Sequence, residues 1–179
     1  MGSSPVTQTI NHERKIDMLL YHGTMAEFTE PCLGMCKPHR DFGCGFYLTP
    51  NYIDALTMAI KNSRVGFVQS YGLDDMTGLS VLELSGYSDE WLEFVVRSRL
   101  GQKSNFDLVI GNMAGGGRNL KSKFSKYRGA KASVEEVSAA MKHELTSTTL
   151  GVQYAFLTPK AVSRLKLLDV ETIMKEDLV

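Results

Sequence analysis

Asp41-Phe42-Gly43-Cys44-Gly45-Phe46-Tyr47-Leu48-Thr49 places a bend, a strand and candidate ligand groups in one short segment. Gly43 and Gly45, one residue apart, leave room for a tight bend or for a ligand against the main chain. Phe46-Tyr47-Leu48 then reads as a short strand. Tyr47 offers a planar stacking surface and Thr49 a hydroxyl suited to a ribose. The plainer alternative is a loop feeding an ordinary core strand. Thr49-Pro50 reads as a helix start, with Thr49 as N-cap and Pro50 in the first helical position.

Outward from there the chain alternates short strands and helices. Residues 30–45 hold Pro31, Gly34, Pro38, Gly43 and Gly45 and read as loop. Met18 to His22 is a short apolar run ending in His-Gly and reads as a strand. On the other side, Tyr52, Ala55, Ala59 and Ile53, Leu56, Ile60 recur at helical spacing. Val65 to Tyr71 and Leu79 to Leu84 are expected strands. Ser88 caps a helix whose Trp91, Leu92, Val95 and Val96 share a face. Phe106 to Ile110 is an expected strand leading into the Gly115-Gly116-Gly117 loop. Ser133 and Glu136 form a capping box for a helix running to about His143. Val152 to Leu157 is a strand, Thr158-Pro159 starts another helix, and Leu165 to Val170 is the last strand. This mixed, short-stranded order predicts an α+β fold rather than a doubly wound one.

The chain has 179 residues, enough for one domain with a real core and little room for two. It is 43% hydrophobic and 22% charged, as globular proteins are. Twenty basic residues balance twenty acidic ones, which argues against binding nucleic acid by net charge alone. No apolar run reaches the roughly 18 residues of a membrane span, and residues 1–17 are expected to be a polar, partly disordered lead-in without a signal-peptide core. The expected compartment is the cytoplasm. Cys32, Cys36 and Cys44 are an odd count and suggest reduced thiols.

Two further segments carry polar groups. In Leu20-Tyr21-His22-Gly23-Thr24 an imidazole ends a strand beside a glycine, which lets a ligand approach the main chain. A turn with a surface histidine is the bland alternative. In Val152-Gln153-Tyr154-Ala155-Phe156, alternation puts Gln153 and Ala155 on one face. Gln153 there either grips a sugar hydroxyl or faces water.

Taken together, Tyr21 to Gly23, Asp41 to Thr49, Trp91 to Val95, Phe106 to Gly111 and Gln153 resemble the ADP-ribosyltransferase superfamily. The resemblance is to its diphtheria-toxin-like branch with a His-Tyr-Glu constellation, and within it to a group of small bacterial members. It spans roughly residues 18–170, and the Asp-Phe-Gly segment is its most specific part. The resemblance implies one domain over residues 18–179, a split pair of small antiparallel sheets with flanking helices, and NAD as substrate without a metal. It implies that His22 hydrogen-bonds the adenosine ribose and that Gly23 offers backbone groups to the nicotinamide amide. Tyr47 would stack on the nicotinamide ring and Thr49 would support the strand and the nicotinamide ribose, with Thr24 and Phe46 completing the cofactor site. Gln153 falls where the superfamily often carries its catalytic Glu, although the small bacterial group usually has Gln. An amide can hold the ribose hydroxyl but supplies neither charge nor base. Asp41, Asp107 or Glu144 then serves as the carboxylate, or the acceptor needs none, or the chain only binds.

The reaction so implied breaks the bond between nicotinamide and ribose and passes ADP-ribose to a protein side chain or a nucleobase. By analogy with the superfamily, the chain would be a toxin or defence effector held by a cognate antitoxin. Two alternatives stand beside this. One is a non-catalytic NAD- or nucleotide-binding module. The other is an RNA-binding or scaffold protein using Arg118, Lys121, Lys123, Lys126, Arg128 and Lys131, with Phe124 and Tyr127 to stack on bases. A solvated face explains that basic stretch more simply. The triple glycine lacks the rest of a phosphate loop, and Cys32, Cys36, His39 and Cys44 lack a common zinc spacing.

Overall fold

The computed structural model describes residues 18–178; the expected polar lead-in at residues 1–17 lies outside the described residues. Strand β1 (Met18–Thr24) pairs antiparallel with β3 (Val65–Leu73), which pairs antiparallel with β7 (Leu165–Met174). The second sheet has the order β2 (Phe46–Leu48), β6 (Val152–Phe156), β5 (Leu108–Asn112), β4 (Val81–Glu83). Two small sheets with five α-helices among the described residues make an α+β fold, as the element order predicts. One pair departs from the expected antiparallel sheets: β4 and β5 run parallel. The reason lies between them, where helix α2 (Asp89–Leu100) makes the crossover that a parallel pair requires.

Local signals set most helix starts. Ser88 caps α2 through Trp91 N–H, and Ser133 and Glu136 close the expected capping box on α4 (Val134–Thr146). Thr158 caps the short α5 (Pro159–Val162). Helix α1 (Tyr52–Ile60) corrects the reading at Thr49-Pro50. Its N-cap is Asn51, whose side chain accepts from Ile53 N–H at 2.9 Å. Thr49 is still engaged in the strand layer, exchanging main-chain bonds with Tyr21 at 2.8 and 2.9 Å, so the helix cannot begin until that bridge ends.

Three apolar clusters bind the layers. Trp91, Val95 and Val96 of α2, with Phe124 of α3 (Leu120–Ser125) and Val137 and Leu145 of α4, pack on the outer face of the four-stranded sheet. Leu20, Phe46, Leu48, Tyr71, Leu108 and Phe156 fill the space between the sheets. The third lies beneath α1, which buries its alanine row, Ala55 and Ala59, and leaves Ile53 exposed.

Glycines on the sheet decide that choice of helix face. A Cβ on Gly23 would stand 1.8 Å from the Ala55 carbonyl oxygen, and one on Gly66 would stand 2.3 Å from that of Ala59. Both obstacles are backbone atoms, so only a shift of the whole helix relieves them. Gly23→Ala is therefore expected to cost about 3 kcal/mol, the upper end of ordinary overpacking. Urea unfolding monitored by circular dichroism measures it.

Candidate functional site

The two sheets touch at one bridge and then part. Tyr21 exchanges both main-chain bonds with Thr49, so its N–H and C=O face β2. In an antiparallel strand the same orientation returns two residues later, at Gly23. A continued ladder would set Gly23 opposite Tyr47. Instead, His22 Nδ1 bonds the Tyr47 carbonyl at 2.7 Å, and the imidazole stands between the strands. The Gly23 N–H and C=O thus face the opening without a β2 partner among the described residues. An adjacent donor and acceptor on an open strand edge is the arrangement that a planar carboxamide can complete.

His22 is fixed as well as open. The carbonyl partner requires the proton on Nδ1, which leaves Nε2 of the neutral ring as an acceptor. Burial lowers the His22 pKa below its ordinary value, partly offset by the bond to Tyr47. Phe46 lies 4.5 Å from the imidazole and Phe28 5.8 Å, centroid to centroid, so two aromatic walls flank it. Buried Gln69, opposite His22 on β3, donates to the Phe28 carbonyl and accepts from Tyr71 Oη at 3.2 Å. Gln69 therefore pins the loop that carries Phe28 over the histidine.

The lowered His22 pKa fixes a pH dependence. Below about pH 6.5 the unfolded imidazole takes a proton that the native one refuses. Stability is therefore full above that pH and falls as pH drops toward the native His22 pKa. Equilibrium unfolding of wild type and His22→Gln at pH 5, 6 and 7 is expected to show the smaller acid loss in the variant.

Tyr47 reaches this region in a different way from that expected. His22 meets its backbone, while its ring lies on the face of β2 opposite Phe46, against the cluster of α2 and α4. The hydroxyl donates to the Gly43 carbonyl at 2.8 Å and accepts from Phe42 N–H at 3.0 Å. Burial and then the nearby Asp41 hold its pKa above the ordinary tyrosine value, so it remains a donor. Neighbouring strands bring His22 and Tyr47 together, but the imidazole and the phenol do not face each other across one groove.

On the Tyr47 side lies a buried polar knot. Tyr47 pairs with Ala155, so Gln153, two residues away on β6, shares its face. Gln153 Nε2 donates to Asp41 Oδ2 at 2.9 Å. Arg99 from α2 donates to Asp41 Oδ1 through Nε at 2.9 Å and through a terminal nitrogen. Ala114 N–H donates to Asp41 Oδ2 at 3.0 Å. Arg99 was missed in the sequence reading, although a signal was present: it lies four residues after Val95 and three after Val96, on the apolar stripe of α2. A charge on a buried stripe implies a partner.

The other expected residues fall elsewhere. Thr24 Oγ1 accepts from Ala26 N–H and Thr49 Oγ1 from Asn51 N–H, so both hydroxyls serve local turns. Asp107 binds Ser80 N–H, Thr158 and Lys160, and Glu144 pairs with Lys123; neither joins the Asp41 knot. Of the three carboxylates considered, only Asp41 meets Gln153. Phe124 is fully buried and so offers no stacking surface in the basic stretch, whereas Tyr127 is half-buried against the same cluster. The thiols of Cys36 and Cys44 turn to the carbonyls of Cys32 and Cys36 at 3.6 and 3.2 Å, and burial with two thiol neighbours pushes Cys36 up to about 11. Among the described residues no three His, Cys, Asp or Glu side chains are grouped to hold a metal ion, and no helix is long and apolar enough to cross a membrane.

The family model described as protein of unknown function (DUF3990) matches residues 18–167, which takes in both sheets as far as the first three residues of β7. The chain belongs to that family. Comparisons of this DUF3990 chain with curated proteins and with solved structures return no match. The matched span contains His22, Gly23, Asp41, Tyr47, Arg99 and Gln153.

Proposed function

We propose that this DUF3990 chain is an NAD-dependent ADP-ribosyltransferase. The observation that supports it best is the split between β1 and β2, propped by His22 and leaving the Gly23 main chain open. The nicotinamide carboxamide closes two hydrogen bonds there, donating to Gly23 C=O and accepting from its N–H. His22 Nε2 accepts from a ribose hydroxyl, and Phe46 and Phe28 wall the site from water. Holding NAD bent at this edge exposes the nicotinamide ribose to one nucleophile.

The bond from ribose C1′ to the pyridinium nitrogen breaks, and its electron pair neutralises the departing nicotinamide. Positive charge spreads over the sugar until a lone pair of the acceptor bonds to C1′. The acceptor then loses a proton to water or buffer. The acceptor is a protein side chain or a nucleobase, and a toxin held by an antitoxin is the biological setting that this chemistry suits.

A second reading, a non-catalytic NAD-binding module, is favoured by the Gln153 amide with its Asp41 bond, since Asp41 is already committed to Arg99. Incubation with NAD labelled in the adenylate moiety, together with a cell lysate, separates the two. Label fixed in macromolecules with release of free nicotinamide is the expected result. Tight NAD binding with neither transfer nor nicotinamide release leaves the second reading. Absence of NAD binding sinks both.

A further inference from the structure

We infer that the C-terminal end of α2, with the segments packed on it, docks the phosphate backbone of a nucleic-acid duplex without reading its sequence. This goes beyond the activity proposed above and stands or falls apart from it.

The formal charge of zero hides a separation of charge. Residues 97–133 hold nine basic residues and one acidic, Asp107, while the rest of the chain holds eleven basic and nineteen acidic. Asp107 is turned to Ser80, Thr158 and Lys160. Other segments bring cations to the end of α2. Arg99 binds Asp41 and so draws the neighbouring Arg40 toward the last turn. A Cβ on Gly101 would stand 3.0 Å from His39 Cε1, so the chain between Lys37 and Arg40 passes the helix end. Arg128 Nε donates to the Arg99 carbonyl at 3.1 Å, which brings the stretch from Lys126 to Lys131 to the same end. That bond also satisfies a carbonyl at the negative pole of the helix. Lys37, Arg40, Lys103, Lys126 and Lys131 are exposed. Among the described residues neither they nor Arg128 have a carboxylate partner, whereas Lys123 is committed to Glu144.

What else is exposed there decides the kind of partner. Among the described residues of 97–133 no large hydrophobic side chain is exposed, while Gln102, Asn105, Ser122 and Ser125 are. Protein interfaces centre on apolar and aromatic side chains, whereas phosphates are met by cations and small polar groups. Single strands are gripped by stacking their bases on aromatic rings. With Phe124 buried and Tyr127 half-buried, that grip is missing. A duplex keeps its bases stacked on one another and offers one charge per about 1.7 Å of its axis.

The test titrates the full chain into a fluorescently labelled 20-base-pair duplex and reads anisotropy between roughly 50 and 200 mM NaCl. Six phosphate contacts give a log–log salt slope of about −5, a loss of about a thousandfold in affinity over that range. Duplexes of unrelated sequence are expected to bind within about threefold of one another, and the matching single strand about tenfold more weakly. Lys126→Ala combined with Lys131→Ala is expected to make the slope shallower by about two. Lys61→Ala combined with Lys166→Ala removes the same charge from exposed positions at the end of α1 and on β7, and should leave the slope unchanged. A DNA or an RNA duplex bound in this way upholds the proposal, and the tighter of the two names the source. Four results overturn it: no salt-dependent duplex binding, equal losses in the two paired variants, a single strand bound as tightly as the duplex, or polyglutamate competing as well as unlabelled duplex.

Discussion

Asp41→Ala is expected to unfold at a temperature about 10 °C below wild type, the largest loss of stability for any single polar side chain here. The Asp41 and Arg99 side chains are only 11% and 14% exposed. Removing the carboxylate strands a buried guanidinium, and it strips the Gln153 amide and Ala114 N–H of their acceptor. Breaking a buried pair from one side costs about 3–5 kcal/mol. For a domain of this size each kcal/mol shifts the midpoint by about 2–4 °C. Arg99→Met should lose comparably, because it leaves the anion stranded. Combining Asp41→Ala with Arg99→Met should cost clearly less than the sum, since neither charge is then left alone. Calorimetry of the three variants checks this; additive losses would mean that the two residues act through separate packing.

His22→Ala is expected to weaken NAD binding about 100-fold while leaving the fold within about 1 kcal/mol of wild type, because a ligand hydrogen bond is lost and the strand edge closes. With the imidazole gone, the Tyr47 carbonyl is free, and the Gly23 N–H stands opposite it in the register set by Tyr21 and Thr49. The ladder can then zip one pair further and consume the groups that the carboxamide would use. Isothermal titration with NAD measures the first effect. Hydrogen exchange at the Gly23 amide measures the second and should slow in the variant. Wild-type binding together with an unchanged Gly23 exchange rate would remove His22 from the site.

Local signals were the readable part of this chain. Ser88, Ser133 with Glu136, and Thr158 start their helices where the sequence places them, because a cap is a contact within three residues. Alternation along Val152 to Phe156 put Gln153 and Ala155 on one face, and both are buried there. Where a distant strand intervened, the local reading failed. Thr49 has a good capping side chain, yet Tyr21 holds it in a bridge, so Asn51 takes the cap. Phe124 looked like a stacking aromatic among lysines, yet α3 turns it into the core beneath α2 and α4.

By itself the sequence determined the α+β alternation, the strand carrying His22 and Gly23, and the bend before Tyr47, since each follows from short-range periodicity and turn chemistry. Only the tertiary structure decided that His22 holds Tyr47 by its carbonyl, that the phenol lies on the other face of β2, and that Asp41, Arg99 and Gln153 form one knot. Those contacts join residues 25, 58 and 112 positions apart. Such pairings depend on how the sheets and α2 pack, and no local pattern encodes them.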